Sequence, residues 1–183
     1  MNSPPRITLI PKREAWCLRL ARARDRNARE RGRRPGNFAP NTPEKAFALH
    51  VRGAYGEAAG MLCLLPRKWN LFQYTGLHDL PDYDDWVDMK TAERRYRTTH
   101  LIVQQDDPIE WAYCLCFPDP HPIYELAGWC YGYEAREHGT KGDLSGKGRD
   151  WTYNVPHNHK IIKPMEELRR LMHARYKCAI KVA

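Results

Sequence analysis

Two acids and a lysine stand close together in Pro81-Asp82 and Asp88-Met89-Lys90, at the end of an alternating run. From Asp85 to Thr91 the chain reads Asp-Trp-Val-Asp-Met-Lys-Thr. As a strand, its period of two puts Trp86, Asp88 and Lys90 on one face and Val87, Met89 and Thr91 on the other. An acid and a cation then project side by side. Magnesium is a hard cation held by one or two carboxylates, with water and substrate phosphate completing its shell. Asp82 and Asp88 are the candidate carboxylates. A bound metal lowers the pKa of a water and offsets charge building on a phosphate, and a neighbouring lysine can orient that water or stabilise the charged transition state. Lys90 is placed for that role, and the chemistry to expect is metal-assisted phosphodiester cleavage.

Those residues need elements to hold them. Phe47, Val51, Ala54, Ala58, Met61 and Leu65 recur at three- and four-residue steps, which predicts a helix from about Glu44 to Leu65 with an apolar stripe facing a sheet. Gly53, Gly56 and Gly60 each cost about 1 kcal/mol in a helix interior relative to alanine, so close approach of the backbone to a sheet or a ligand is expected there. Glu57 shares that small-residue face and is a third candidate acid. Residues 100–105, 110–117 and 123–129 read as successive strands, 134–149 as a mobile surface loop, 153–160 as a proline-broken segment, and 164–176 as a final helix with Met165, Leu168, Leu171 and Met172 along one stripe.

The order of parts (an acid on a helix, Pro-Asp, a short gap, Asp-x-Lys, then further strands) resembles the PD-(D/E)XK superfamily of restriction-endonuclease-like nucleases, with aspartate where glutamate is more often found. The resemblance spans about residues 44–171 and is carried by the acid–lysine motif. It implies an α/β fold with a restriction-endonuclease-like central mixed sheet flanked by helices, and catalysis by Asp82, Asp88 and Lys90. It also implies magnesium or manganese held by Glu57, Asp82 and Asp88, and hydrolysis of DNA by a small phage-type member acting in phage or mobile-element DNA processing. A homodimer would suit cleavage of both strands. The gap from Asp82 to Asp88 is short, so Asp79, Asp84 and Asp85 are alternatives for the first acid. Asp82 is preferred because a hairpin turning at Tyr83 brings it to the start of the strand carrying Asp88. The competing reading is an inactive module on the same fold that holds nucleic acid or protein. A third is a compact interaction protein docking on a protein partner through a basic arm.

That arm is the other strong feature. Lysine and arginine number 30 against 22 acids in 183 residues, a formal charge of +8, which favours polyanionic partners through counterion release. From Lys12 to Arg34 ten basic residues face only Glu14, Asp25 and Glu30. Residues 1–36 are therefore expected to form a basic N-terminal helix or arm, with Arg19, Arg22, Arg26, Arg29, Arg33 and Arg34 on phosphates, and residues 37–183 the core. Trp16, Leu18, Leu20 and Ala23 offer it a little apolar surface, enough for a helix that docks lightly on that core or for one that orders only on DNA. The start Met-Asn-Ser-Pro-Pro-Arg lacks a signal peptide's apolar run, and no stretch is long and apolar enough to span a bilayer, so a soluble cytoplasmic protein is expected.

Other chemistries find less support. No Gly-x-Ser-x-Gly elbow, phosphate loop or Rossmann fingerprint occurs. Cys114 and Cys116 could join Cys130 or His157 and His159 around zinc, but Trp111 to Phe117 is apolar on both faces, which suits a covered central strand with reduced, packed thiols. Trp129 and Trp151 are candidates for stacking on an unpaired base, against the simpler reading of packing.

Overall fold

Thr42 and Pro43 start the helix that organises the molecule. In the computed structural model, which describes residues 3–30, 42–65, 82, 85–92, 99–143 and 151–182, Thr42 is extended and accepts a hydrogen bond from the Lys45 amide (3.4 Å) at the head of α2, Pro43–Leu64. Ala54, Ala58, Met61 and Leu65 of its stripe are buried, as the helical spacing requires. Helix α1, Pro11–Glu30, packs along α2 with Cys17, Leu20 and Ala21 buried, so the basic segment is docked on the core rather than free of it. Its position on one face of the apolar core follows from an i, i+3, i+4 spacing of those three residues.

Strands β1 (Arg6–Thr8), β2 (Val87–Thr91), β4 (Ala112–Pro118) and β5 (Ile123–Tyr131) form a mixed sheet in the order β1-β5-β4-β2. β2 runs parallel to β4, and the other pairs are antiparallel. A parallel pair needs a crossover. This one contains β3 (His100–Gln104), which leaves the first sheet and pairs with β7 (Trp151–Pro156) in a second, antiparallel sheet ordered β3-β7-β6, where β6 is Thr140–Asp143. Among the described residues the chain is thus α/β, with four helices and two sheets; α3 is Gly132–His138 and α4 is Met165–Val182.

Strand β4 is the hinge of the two cores. Ala112, Cys114 and Cys116 face α2 and α4 with Ala58, Met61, Met165 and Met172, whereas Tyr113, Leu115 and Phe117 face Leu101, Val103 and Val155 of the second sheet. Burial on both sides explains its near-continuous apolar sequence.

Two expectations need correction. Residues 134–149 do not form a loop in their described part: they contribute most of α3 and all of β6. Glu134 accepts the Tyr131 amide at 2.8 Å, capping α3 at its start, and Gly139 closes it on the Ala135 carbonyl. Residues 153–156, expected in a proline-broken segment, belong to the strand Trp151–Pro156, with Pro156 at its end where the missing N–H does no harm.

Gly56 shows how closely α2 lies on β2. A Cβ there would collide with Thr91 Oγ1 and stand 2.9 Å from Thr91 Cβ. Gly56→Ala is expected to cost about 1–3 kcal/mol, because either the helix or the strand bearing Asp88 and Lys90 must move. Thermal unfolding should fall by roughly 2–4 °C per kcal/mol. An unchanged Tm would mean that α2 does not sit on β2 at this point.

Candidate metal and phosphodiester site

β2 lifts Asp88 and Lys90 onto the face shared with Tyr113 and Leu115 of β4, while Val87 and Met89 are buried on the opposite side under α2. Trp86 departs from the expected alternation. It precedes the strand, follows Asp85 with its φ of 59°, and turns into the α2-side core. Lys90 Nζ lies 2.6 Å from Asp88 Oδ2 and 3.3 Å from Asp107 Oδ2, and stands over the Tyr113 ring at 5.3 Å. Burial alone would lower the Lys90 pKa, but Asp88 and Asp107 outweigh it and hold the ammonium charged.

Asp82 reaches the same strand from outside it: its Oδ2 accepts the Met89 amide at 2.7 Å. That contact places it one residue from Asp88. Burial, then the charges of Glu57 and Asp88, push its carboxyl well above the usual range. Glu57 projects from α2 into the same field. Burial raises its pKa too, with Asp88 adding to the rise and Arg24 opposing it. Arg24 donates to both Glu57 oxygens, Nη2 to Oε2 at 2.7 Å and Nη1 to Oε1. The charges of Glu57, Asp82 and Asp88 therefore act on one another, and Lys90 joins them through Asp88.

Asp85 is exposed at the left-handed turn, and Asp79 and Asp84 lie outside the described residues. Arg19, Arg22, Arg26 and Arg29 are exposed on α1, with Arg29 paired to Asp25 at 2.7 Å; Arg33 and Arg34 lie outside the described residues.

Two site residues escaped the sequence reading. Arg24 had a signal: Cys17, Leu20, Ala21 and Arg24 share one helical stripe, so a charge on it must find a buried partner. Asp107 had none, since Asp-Asp-Pro reads as an ordinary turn. It also accepts the Gln104 amide at 2.9 Å, and Arg136 of α3 grips its loop through the carbonyls of Gln105 (2.6 Å) and Asp107 (2.8 Å). Trp129 is buried, with its indole N–H on the Pro164 carbonyl at 3.2 Å, which removes it as a stacking surface. Cys114 and Cys116 lie on one face of their sheet and Cys130 faces the other core, so these three cannot converge on one ion. Burial raises the Cys63 thiol to about 11 and those of Cys17 and Cys130 to about 12, which keeps them protonated.

Among the described residues no group of three or more histidines, cysteines or acids is arranged to hold a metal ion. Magnesium asks for less, one or two hard carboxylates with water completing its shell, and Asp88 is close enough for its charge to act on the Asp82 carboxyl. Asp82 and Asp88 fit it on that ground. Among the described residues no helix is long and apolar enough to cross a membrane. No family model, no curated protein and no solved structure matches this chain.

Proposed function

We propose that the protein is a metal-dependent nuclease that hydrolyses DNA phosphodiester bonds, on a restriction-endonuclease-like arrangement of the mixed sheet with α2 behind it. The observation that carries the reading is the anchoring of Asp82 on the Met89 amide, between Asp88 and Lys90 on β2. A magnesium or manganese ion held by Asp82 and Asp88 would supply Lewis-acid polarisation of the phosphate and a water of lowered pKa. Lys90 is kept charged and aimed by Asp88 and Asp107, so its ammonium can hold the attacking water or the negative charge that develops on phosphate oxygens. Arg19, Arg22, Arg26 and Arg29 offer exposed guanidiniums on α1 for the substrate backbone.

A second reading, an inactive module on the same fold, draws support from a specific feature. Each acid already has a partner: Glu57 has Arg24, Asp82 the Met89 amide and Asp88 Lys90. The experiment that separates the two is cleavage of supercoiled plasmid and single-stranded DNA with magnesium or manganese. Native protein should nick DNA only with metal; Asp88→Ala should remove that activity, and Lys90→Ala should lower it by about 10²-fold. Salt-sensitive DNA binding without cleavage in any variant would select the inactive module. Equal cleavage in all three would point to a contaminating nuclease.

A further inference from the structure

Arg24 of α1 turns inward to an acid of the candidate site. Its side chain and that of Glu57 are 15% and 9% exposed. Gly53 sits one helical turn before Glu57, where a Cβ would lie 3.8 Å from Glu57 Oε1 and 3.9 Å from Arg24 Nη1. Those are ordinary contact distances, so the ion pair packs directly against this turn of α2. The planar guanidinium matches the carboxylate through two parallel charge-assisted bonds and cannot lose its charge. A metal taking Glu57 as a ligand through its remaining lone pairs would set a second cation against the guanidinium in a poorly solvated place, which costs Coulomb energy.

The local charges point the same way. Four acids, Glu57, Asp82, Asp88 and Asp107, meet two cations, Arg24 and Lys90, so that even with every acid ionised the surplus is two negative charges. One divalent cation is the most that this set can balance. We infer that Arg24 is a positioning residue: it closes Glu57 into an internal ion pair and restricts the site to a single divalent cation, held by Asp82 and Asp88. This inference rests on the metal-dependent function proposed for the site, and it makes Glu57 the anchor of Arg24 in place of the ligand that the family resemblance implies.

Calorimetric titration of the full chain with Mn²⁺ tests it on four forms: native, Asp88→Asn, Arg24→Gln, and the neutral pair Arg24→Gln with Glu57→Gln. The native protein should bind one Mn²⁺, and Asp88→Asn should bind it much more weakly. The neutral pair, which keeps the local charge balance, should bind one Mn²⁺ within about twofold of native affinity. Arg24→Gln alone adds a net negative charge and should bind Mn²⁺ about tenfold more tightly or take up a second ion. That single variant removes the guanidinium from a buried glutamate and is the form most exposed to misfolding; where it does not fold, the neutral pair decides the matter. Loss of Mn²⁺ binding in the folded neutral pair, or two ions in the native protein, overturns the inference by returning Glu57 to the metal. Mn²⁺ binding unaffected by Asp88→Asn overturns the metal site itself, a result distinct from the other two.

Discussion

A chain carrying Asp82→Asn is expected to melt higher than the native protein at neutral pH while losing metal-dependent cleavage by roughly 10³-fold. The two effects have one source. The Asp82 carboxyl is buried beside Glu57 and Asp88, and both circumstances push its pKa well above the usual range. For an acid whose folded-state pKa exceeds its unfolded value, the contribution to stability is complete below the unfolded value and is lost as pH rises through the folded one. Asp82 therefore costs the metal-free protein stability at neutral pH, either as a buried charge or as a proton taken up on folding. Asparagine removes that charge but keeps an oxygen for the Met89 amide, now 2.7 Å from Oδ2. The gain should be about 0.5–2 kcal/mol, the usual size of a trade between stability and an active-site charge. Thermal melts in a chelator from pH 5 to pH 8 check it: the native Tm should fall relative to that of the variant as pH rises. Adding magnesium should raise the native Tm and leave the variant unmoved, since only a protein that binds the ion gains from it. A variant that melts lower than native across this range would show that Asp82 is a stabilising anion, and would remove the charge strain that a bound cation is expected to relieve.

The parts of the site that follow a short-range rule were legible in the sequence. Alternation from Val87 to Lys90 put Asp88 and Lys90 on one face and buried Val87 and Met89 on the other. The three- and four-residue steps from Phe47 to Leu65 predicted α2, and Gly56 among its glycines marked where backbone comes close to β2. Where the outcome depended on which distant strand would pair, sequence order misled. Residues 100–104, 112–118 and 123–131 look like one meander, yet β3 leaves for β7 because β2 and β4 lie parallel and the chain between them must cross over. β7 itself was hidden by Pro156 and by the polar residues that follow it. Arg24 shows a different gap: the basic run was read as a surface because its charges were counted together, whereas the helical period separates the exposed set Arg19, Arg22, Arg26 and Arg29 from the one that faces inward. Asp107 depends on a turn whose closeness to Lys90 no local pattern encodes.

Gly128→Ala should destabilise the protein by about 3–5 kcal/mol, the sum of a strained backbone and an overpacked contact. Gly128 holds a φ of 149°, a conformation that disfavours any side chain, beside the irregularity between Leu115 and Cys116 where β4 and β5 change register. An added Cβ would stand 2.5 Å from Ile162 Cγ2 and 2.7 Å from the Lys163 carbonyl oxygen. The second contact is with backbone, so no change of rotamer relieves it. Segment 161–164 would have to retreat, although it is fixed to β5 by the Trp129 amide on the Lys163 carbonyl (3.0 Å) and the Lys163 amide on the Trp129 carbonyl (2.8 Å). Lys163 adds a 2.5 Å ion pair with Glu134 and stands over the Trp129 and Tyr131 rings at 4.6 and 4.7 Å. Met165, Leu168 and Met172 follow directly and are buried in the core, so displacement there loosens α4 as well. Urea unfolding should show the midpoint falling, and a loss below about 1 kcal/mol would mean that this segment does not press on Gly128. β5 is separated by β4 from β2, the strand that carries Asp88 and Lys90. Metal affinity per folded molecule should therefore survive in Gly128→Ala while the folded fraction drops, the reverse of Asp82→Asn, in which the fold gains and the site is lost.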